Sequence, residues 1–159
     1  MLVLCTGNSA RSQIAEELLA TLGGGRIVAA SAGSNPAARV NPFAVDVLRE
    51  HGIEWEGRVP ESVDRYVGET FDLVITVCDH ARDVCPVLPG AGANVHWGLV
   101  DPAEETDPVR ARAAFAETFA ALEERIRALL QAPLERMAPQ EIRTLAQEIH
   151  ESAGSSPDR

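Results

Sequence analysis

Long apolar runs are missing from these 159 residues. None approaches the ~18 needed to cross a bilayer, so no membrane association is expected. Met1-Leu2-Val3-Leu4-Cys5 also lacks the basic region and small-residue cleavage site of a signal peptide. A cytoplasmic location is the expectation. Basic residues are few, 14 against 24 acidic, for a net charge of −10. That balance excludes the broad basic patch of a nucleic-acid binder. An acidic chain can still hold an anion, but only where a specific motif concentrates donors. Cysteine is scarce: Cys5, Cys78 and Cys85 are the three. An odd number at wide spacing is not a disulfide framework. Such thiols are either buried fillers or redox and nucleophilic groups. No repeat or low-complexity tract is visible. What is present is 45% apolar composition, enough for a core, on a chain one domain long.

Apolar periodicity divides the chain into alternating elements. Leu2–Leu4, Arg26–Ala30, Phe71–Val77 and Asn94–Trp97 read as strands, the third nearly continuous in apolar residues. A helix is expected from Ala10 to Leu22, stopped by Gly23-Gly24-Gly25. A second starts with Asn41 as N-cap and Pro42 at its first position, and runs to His51. A long amphipathic helix spans Pro108–Leu130. After Pro133, Ile142, Leu145, Ala146 and Ile149 fall at helical spacing, and Ser152–Arg159 should be loose. The expected fold is α/β, a four-stranded parallel sheet with helices on both faces. Residues 1–131 would form a catalytic domain, and residues 132–159 a C-terminal helical extension with a loose tail.

The most informative stretch is Cys5-Thr6-Gly7-Asn8-Ser9-Ala10-Arg11-Ser12, between the first strand and first helix. A loop there turns successive N–H groups inward, and the helix adds its own unpaired ones. The product is a cradle for a tetrahedral oxyanion formed by Thr6, Gly7, Asn8, Ser9, Ala10 and Arg11. Arg11 contributes a planar two-donor fork. Cys5 sits at the centre, where the same field should depress its pKa from ~8.5. Ser12 is placed to donate to its sulfur. The competing reading is a buried cysteine beside a surface arginine, and the small polar loop directly after a strand disfavours it.

Asp101-Pro102, after the fourth strand, offers a carboxyl that can protonate a leaving oxygen. A simple turn aspartate is the plainer alternative. Cys78 directly follows the third strand, so it shares a sheet edge with Cys5 if the strands are parallel. Cys85 lies seven residues further on. Both could be packing residues. Cys78, His80 and Cys85 make a poor metal site, being irregularly spaced and without a fourth ligand. No metal and no cofactor is expected. Arg82 is either a surface charge or a partner that holds Cys78 as thiolate. His51, His96 and His150 are scattered and read as structural.

Cys5 through Gln13, with Ala15-Glu16, resembles the active-site loop of the low-molecular-weight protein tyrosine phosphatase fold. It resembles more closely the thioredoxin-coupled arsenate reductases built on that fold. The similarity runs from Met1 to about Leu130 and includes Ser31-Ala32-Gly33, Asn41-Pro42 and His96-Trp97-Gly98. Gln13 stands where the phosphatases usually carry Pro. Ala103-Glu104-Glu105 stands where they usually place aromatics. The resemblance implies a relay in which Cys5 attacks arsenate while Asp101 assists loss of oxygen. Cys78 then releases arsenite by forming a Cys5–Cys78 disulfide. Cys85 attacks Cys78, and thioredoxin reduces the Cys78–Cys85 bond. Two other readings stay open: a tyrosine phosphatase using the same Cys5, Arg11 and Asp101, and a non-catalytic oxyanion-binding or redox-sensing protein. A reductase of this kind is expected to keep some phosphatase activity. Asp79–Val84 contains no Gly or Pro and should be helical. Positions seven apart in a helix lie ~10.5 Å apart along the axis, whereas a disulfide needs Cα atoms within ~7 Å.

Overall fold

The computed structural model describes residues 1–84, 88 and 90–154. Strands β1 (Leu2–Cys5), β2 (Ala30–Gly33), β3 (Val74–Thr76) and β4 (Asn94–His96) form one parallel sheet, in the order β2-β1-β3-β4. Helices α1 (Arg11–Gly23), α2 (Pro42–Glu50), α3 (Asp79–Val84), α4 (Pro108–Leu130) and α5 (Pro139–Gly154) complete it. Side chains alternate across a strand, so each strand feeds two packing layers. Val3, Ile75 and Val95 join the larger cluster, with Ile14, Leu18, Leu48, Phe115 and Leu122 from α1, α2 and α4. Leu2, Leu4 and Val74 point the other way and pack with Ala32, Val63 and Leu88. Among the described residues, no helix is long and apolar enough to cross a membrane.

The helix signals correspond to observed caps. Asn41 accepts from the Phe43 N–H, and Pro42 fills the first position of α2. α1 stops at Gly24, whose φ of 56° is left-handed and suits glycine. Asp107 caps α4 by accepting from the N–H groups of Val109 and Arg110. α5 packs against α4 and β4, and the buried Trp97 donates its indole N–H to the Ala146 carbonyl at 2.9 Å. The helix continues through Gly154, so residues 152–154 are helical rather than loose.

Two strands differ from expectation. The second is Ala30–Gly33, not Arg26–Ala30. Ile27 and Ala29 pack on the core without joining the ladder, and Val28 points to solvent. The ladder instead runs through small residues because β2 lies against the loop after β1. A Cβ on Gly33 would stand 2.4 Å from the Thr6 carbonyl oxygen and 3.0 Å from the Asn8 nitrogen. Apolarity located the neighbouring segment, while close approach selected this one. The third strand forms a ladder over Val74–Thr76, with Phe71 in an isolated bridge to Ala91, although Leu73 and Val77 are fully buried.

Gly33→Ala therefore forces the loop after β1 to move. It should lower stability by ~1–3 kcal/mol, as overpacking does, and weaken binding of inorganic phosphate. Urea denaturation and phosphate titration calorimetry measure the two effects. Unchanged phosphate affinity would mean that the loop accommodates the methyl group.

Candidate active site

The loop from Thr6 to Ala10 leaves β1 at Cys5 and enters α1 at Arg11. Its carbonyls point outward and are all taken. Those of Cys5, Thr6, Gly7 and Ser9 accept from the N–H groups of Ser34, Asn35, Ala37 and Asn41. The Asn8 carbonyl accepts from Gln13, and that of Ala10 from Ile14. A peptide's N–H points opposite to its carbonyl, so this arrangement turns the loop amides inward. Among the described residues, the amides of Gly7, Ser9 and Ala10 have no protein acceptor. The Asn8 N–H donates to Cys5 Sγ at 3.2 Å. Asn8 is the one non-glycine described residue with positive φ, at 50°. Asparagine tolerates that conformation better than most residues.

Arg11 is nearly buried. Nη1 donates to the Leu99 carbonyl at 2.8 Å, and Nη2 lies 3.3 Å from Asp101 Oδ2. Its Nε has no partner although it is buried. Asp101 Oδ1 accepts from the Ala103 N–H, which sets the carboxyl's orientation. The loop, Arg11, Asp101 and Cys78 line one cleft of about 590 Å³ with Asp79, His80, Ala103 and Glu104. Cys78 lies 3.3 Å from Thr6 Oγ1 and accepts from the Ala81 N–H in the first turn of α3. Arg82 pairs with Asp79 and Asp83 instead of reaching the Cys78 thiol. His96 links Thr76 on β3 to Asp79 on α3. Cys85 lies outside the described residues. Among those described, no cluster of potential metal ligands forms.

Cys5 corrects one expectation. Burial pushes its thiol pKa up, and the donors from Ser12, Asn8 and Arg11 only oppose that shift. The cradle concentrates donors, but it also strips water from the sulfur, and desolvation disfavours the thiolate.

The Ser12 contact has a definite direction. The Glu61 backbone N–H can only donate, so the Asn8 atom facing it at 2.9 Å is Oδ1. Asn8 Nδ2 then faces Ser12 Oγ at 2.8 Å and Ser31 Oγ at 2.9 Å. Ser12 Oγ accepts from Asn8, which leaves its own hydrogen for Cys5 Sγ at 2.8 Å. Gln13 Nε2 braces both Asn8 Oδ1 and the Asn8 carbonyl, each at 3.1 Å.

A model of the family described as low molecular weight phosphotyrosine protein phosphatase matches residues 1–141. The chain belongs to that family. Within it, an arsenate reductase of Halalkalibacterium halodurans is 44% identical over 101 residues, covering 64% of this chain and 72% of that one. An arsenate reductase solved in its phosphate-binding state superposes with a TM-score of 0.71 at 28% identity, over 82% of this chain and 95% of that one. The thioredoxin-dependent arsenate reductase of Corynebacterium glutamicum gives 0.61 at 32% identity, over 82% of this chain and 59% of that one.

A thiol whose pKa is higher in the folded state than in the unfolded one stabilises the fold below the unfolded value. That contribution is lost as pH rises through the folded value. Without oxyanion, Cys5 should therefore alkylate more slowly at neutral pH than free cysteine. Its rate should rise with a midpoint above the free-thiol value of ~8.5. Iodoacetamide kinetics against pH, followed by mass spectrometry, test this. A midpoint below the free-thiol value would reverse the balance between burial and donors.

Proposed function

We propose that this chain reduces arsenate to arsenite, with thioredoxin as electron donor. The observation that carries the reading is that two free thiols, Cys5 and Cys78, line one cleft with Arg11 and Asp101. Arg11 and the inward amides bind the tetrahedral anion. Cys5 Sγ attacks arsenic, its proton passing to the basic oxyanion. Asp101 delivers a proton to the departing oxygen, so water leaves and a Cys5–As bond remains. Cys78 attacks Cys5 Sγ. The S–As bond breaks, its electron pair stays on arsenic, and arsenite departs as As(III). The Cys5–Cys78 disulfide is resolved by Cys85, and the resulting Cys78–Cys85 bond accepts two electrons from a dithiol protein.

Family membership alone favours a phosphatase using Cys5, Arg11 and Asp101. Two features favour the reductase: the relatives named above, and Ala103 and Glu104 in the cleft where an aryl phosphate would need an apolar wall. Phosphate esters present the same tetrahedral anion, so weak phosphatase activity accompanies this reading. The chemistry sits within residues 1–131, and the extension from 132 supports the sheet edge from outside the cleft.

With arsenate, thioredoxin, thioredoxin reductase and NADPH, the Cys5→Ser, Cys78→Ser and Cys85→Ser proteins should each lose multiple turnover. Phosphatase activity should fail only in Cys5→Ser. Sustained NADPH oxidation by Cys85→Ser would remove the third thiol from the relay.

The same relay demands movement. α3 begins immediately after Cys78 and runs to Val84. A disulfide between positions seven apart cannot close across an intact helix. Hydrogen exchange should show α3 amides protected in reduced protein and exposed after one arsenate turnover without thioredoxin. Equal protection in both states, with the disulfide confirmed by mass spectrometry, would exclude unwinding.

A further inference from the structure

The last helix builds a second cavity on the far side of α3. Arg143, Gln147, His150 and Glu151 fall on one face of α5, beside the stripe that buries Ile142 and Ala146. That face and the sheet enclose a groove of about 470 Å³, floored by Leu4, Val74 and Val95. Its other wall is α3, through Ala81 and Arg82, whereas Asp79 and His80 of the same helix line the Cys5 cleft. α3 is thus a thin partition between two cavities. The family match ends at residue 141, so the α5 wall lies outside it.

The groove presents donors that lack acceptors. Arg125 Nε can only donate, so His150 Nδ1 accepts from it at 3.4 Å and the ring hydrogen sits on Nε2. Burial, Arg125 and His96 hold the His150 pKa down, which keeps the ring in that neutral form. Among the described residues, neither this N–H nor the Arg143 guanidinium has an acceptor. The other charged groups of the groove are engaged. Arg82 pairs with Asp79 and Asp83, His96 with Asp79, and Glu151 accepts from Gln147.

α3 is too short to seat a protein by itself. Its six residues, at ~1.5 Å each, give a length of ~9 Å. Even a transient protein interface buries roughly several hundred Å² on each side. A dithiol protein that reaches the Cys78–Cys85 bond must therefore rest on a flank of α3 as well. The cleft flank presents Asp79, Asp101 and Glu104, and such a contact would close the cleft. The α5 flank presents free donors above an apolar floor and leaves the cleft open. We propose that the groove between α3 and α5 is the docking surface for thioredoxin, where Arg143 and His150 receive carboxylates of its surface. This rests on the thioredoxin reading above. The docked dithiol gives two electrons and two protons to the Cys78–Cys85 disulfide and leaves as its own disulfide.

The test is steady-state turnover against thioredoxin concentration, with arsenate saturating. Arg143→Glu should raise the thioredoxin KM about tenfold, the scale of one charge-assisted contact, and leave kcat unchanged. The difference should shrink as KCl rises from ~0.05 to ~0.5 M, because salt screens an exposed charge. Arg143→Lys should stay within about threefold of wild type, since the charge remains. Turnover with dithiothreitol, which needs no docking, should match wild type in both variants. Arg49→Glu makes the same charge change on α2, outside both cavities, and should leave the thioredoxin KM unchanged. Arg143 is exposed, so its replacement opens no cavity, and circular dichroism checks the fold. A wild-type thioredoxin KM in Arg143→Glu would overturn the proposal. An equal rise in Arg49→Glu would overturn it by making the effect one of net charge, and an equal loss with dithiothreitol by placing the effect in the relay. Wild-type protein that turns over with dithiothreitol but not with thioredoxin would remove the thioredoxin reading, and the docking surface with it.

Discussion

The site depends on how one fully buried side chain, Asn8, spends its donors and acceptors. Its backbone takes the left-handed turn that bends the loop around Cys5. Its amide oxygen receives the Glu61 N–H and Gln13, which ties the loop to the segment beside β2 and to α1. Its amide nitrogen reaches both serines. A buried amide left unsatisfied is expensive, so the pieces stay together only in the arrangement that pairs all of these groups. Asp would lack the two donors at this position and Gly the anchor. The inward turn of the loop amides thus follows from satisfying a neutral side chain.

That construction reconciles an acidic protein with the proposed anion site. The net charge is −10, yet the carboxylates near the loop are held by cations. Arg58 faces Glu16 and Glu17, Arg65 faces Glu61, and Arg11 faces Asp101. All 14 basic residues of the chain are arginine. The planar fork lets Arg11 contact the Leu99 carbonyl and the Asp101 carboxylate together, which a lysine ammonium does less readily. The inward amides contribute partial positive charge that net composition does not count.

The loop was legible in sequence because its elements are local. A strand, a turn of small polar residues, a cysteine and an arginine six positions later lie within one short stretch. The helices were legible for the same reason, through Asn41-Pro42 and the glycines around Gly24. What escaped reading was non-local. The apolar neighbour of β2 looks more strand-like than β2 itself, and only contact with the Thr6 carbonyl explains why Gly33 belongs in the ladder. Spacing reports donors but not burial, so it does not give the direction of the Cys5 shift. Ser31 lies 23 residues from Asn8, and Arg58 lies 42 from Glu16. No periodicity joins them. A lone serine among the small residues Ala30, Ala32 and Gly33 is the one local sign that a polar partner waits opposite β2.

The two walls of the cleft differ in what they cost to break. The oxyanion loop is wired into β2, α1 and the 34–41 segment by backbone and buried side-chain bonds. α3, which carries the other wall, has six residues, too few to be stable alone. It is held by the Ala81 N–H on Cys78 Sγ, and by His96 gripping the exposed Asp79 at 2.8 Å. Gly98 leaves that grip its space, since a Cβ there would stand 2.8 Å from His96 Nε2. Exposed polar contacts of this kind are worth little each. Among the described side chains of α3 only Ala81 is buried, whereas opening the loop would strand Asn8, Ser12 and Gln13 together. Low-stability segments are where conformational change concentrates. Under the proposed relay, an anion would be held on the rigid wall while the Cys78 side rearranges, so binding and thiol exchange need not compete for the same bonds.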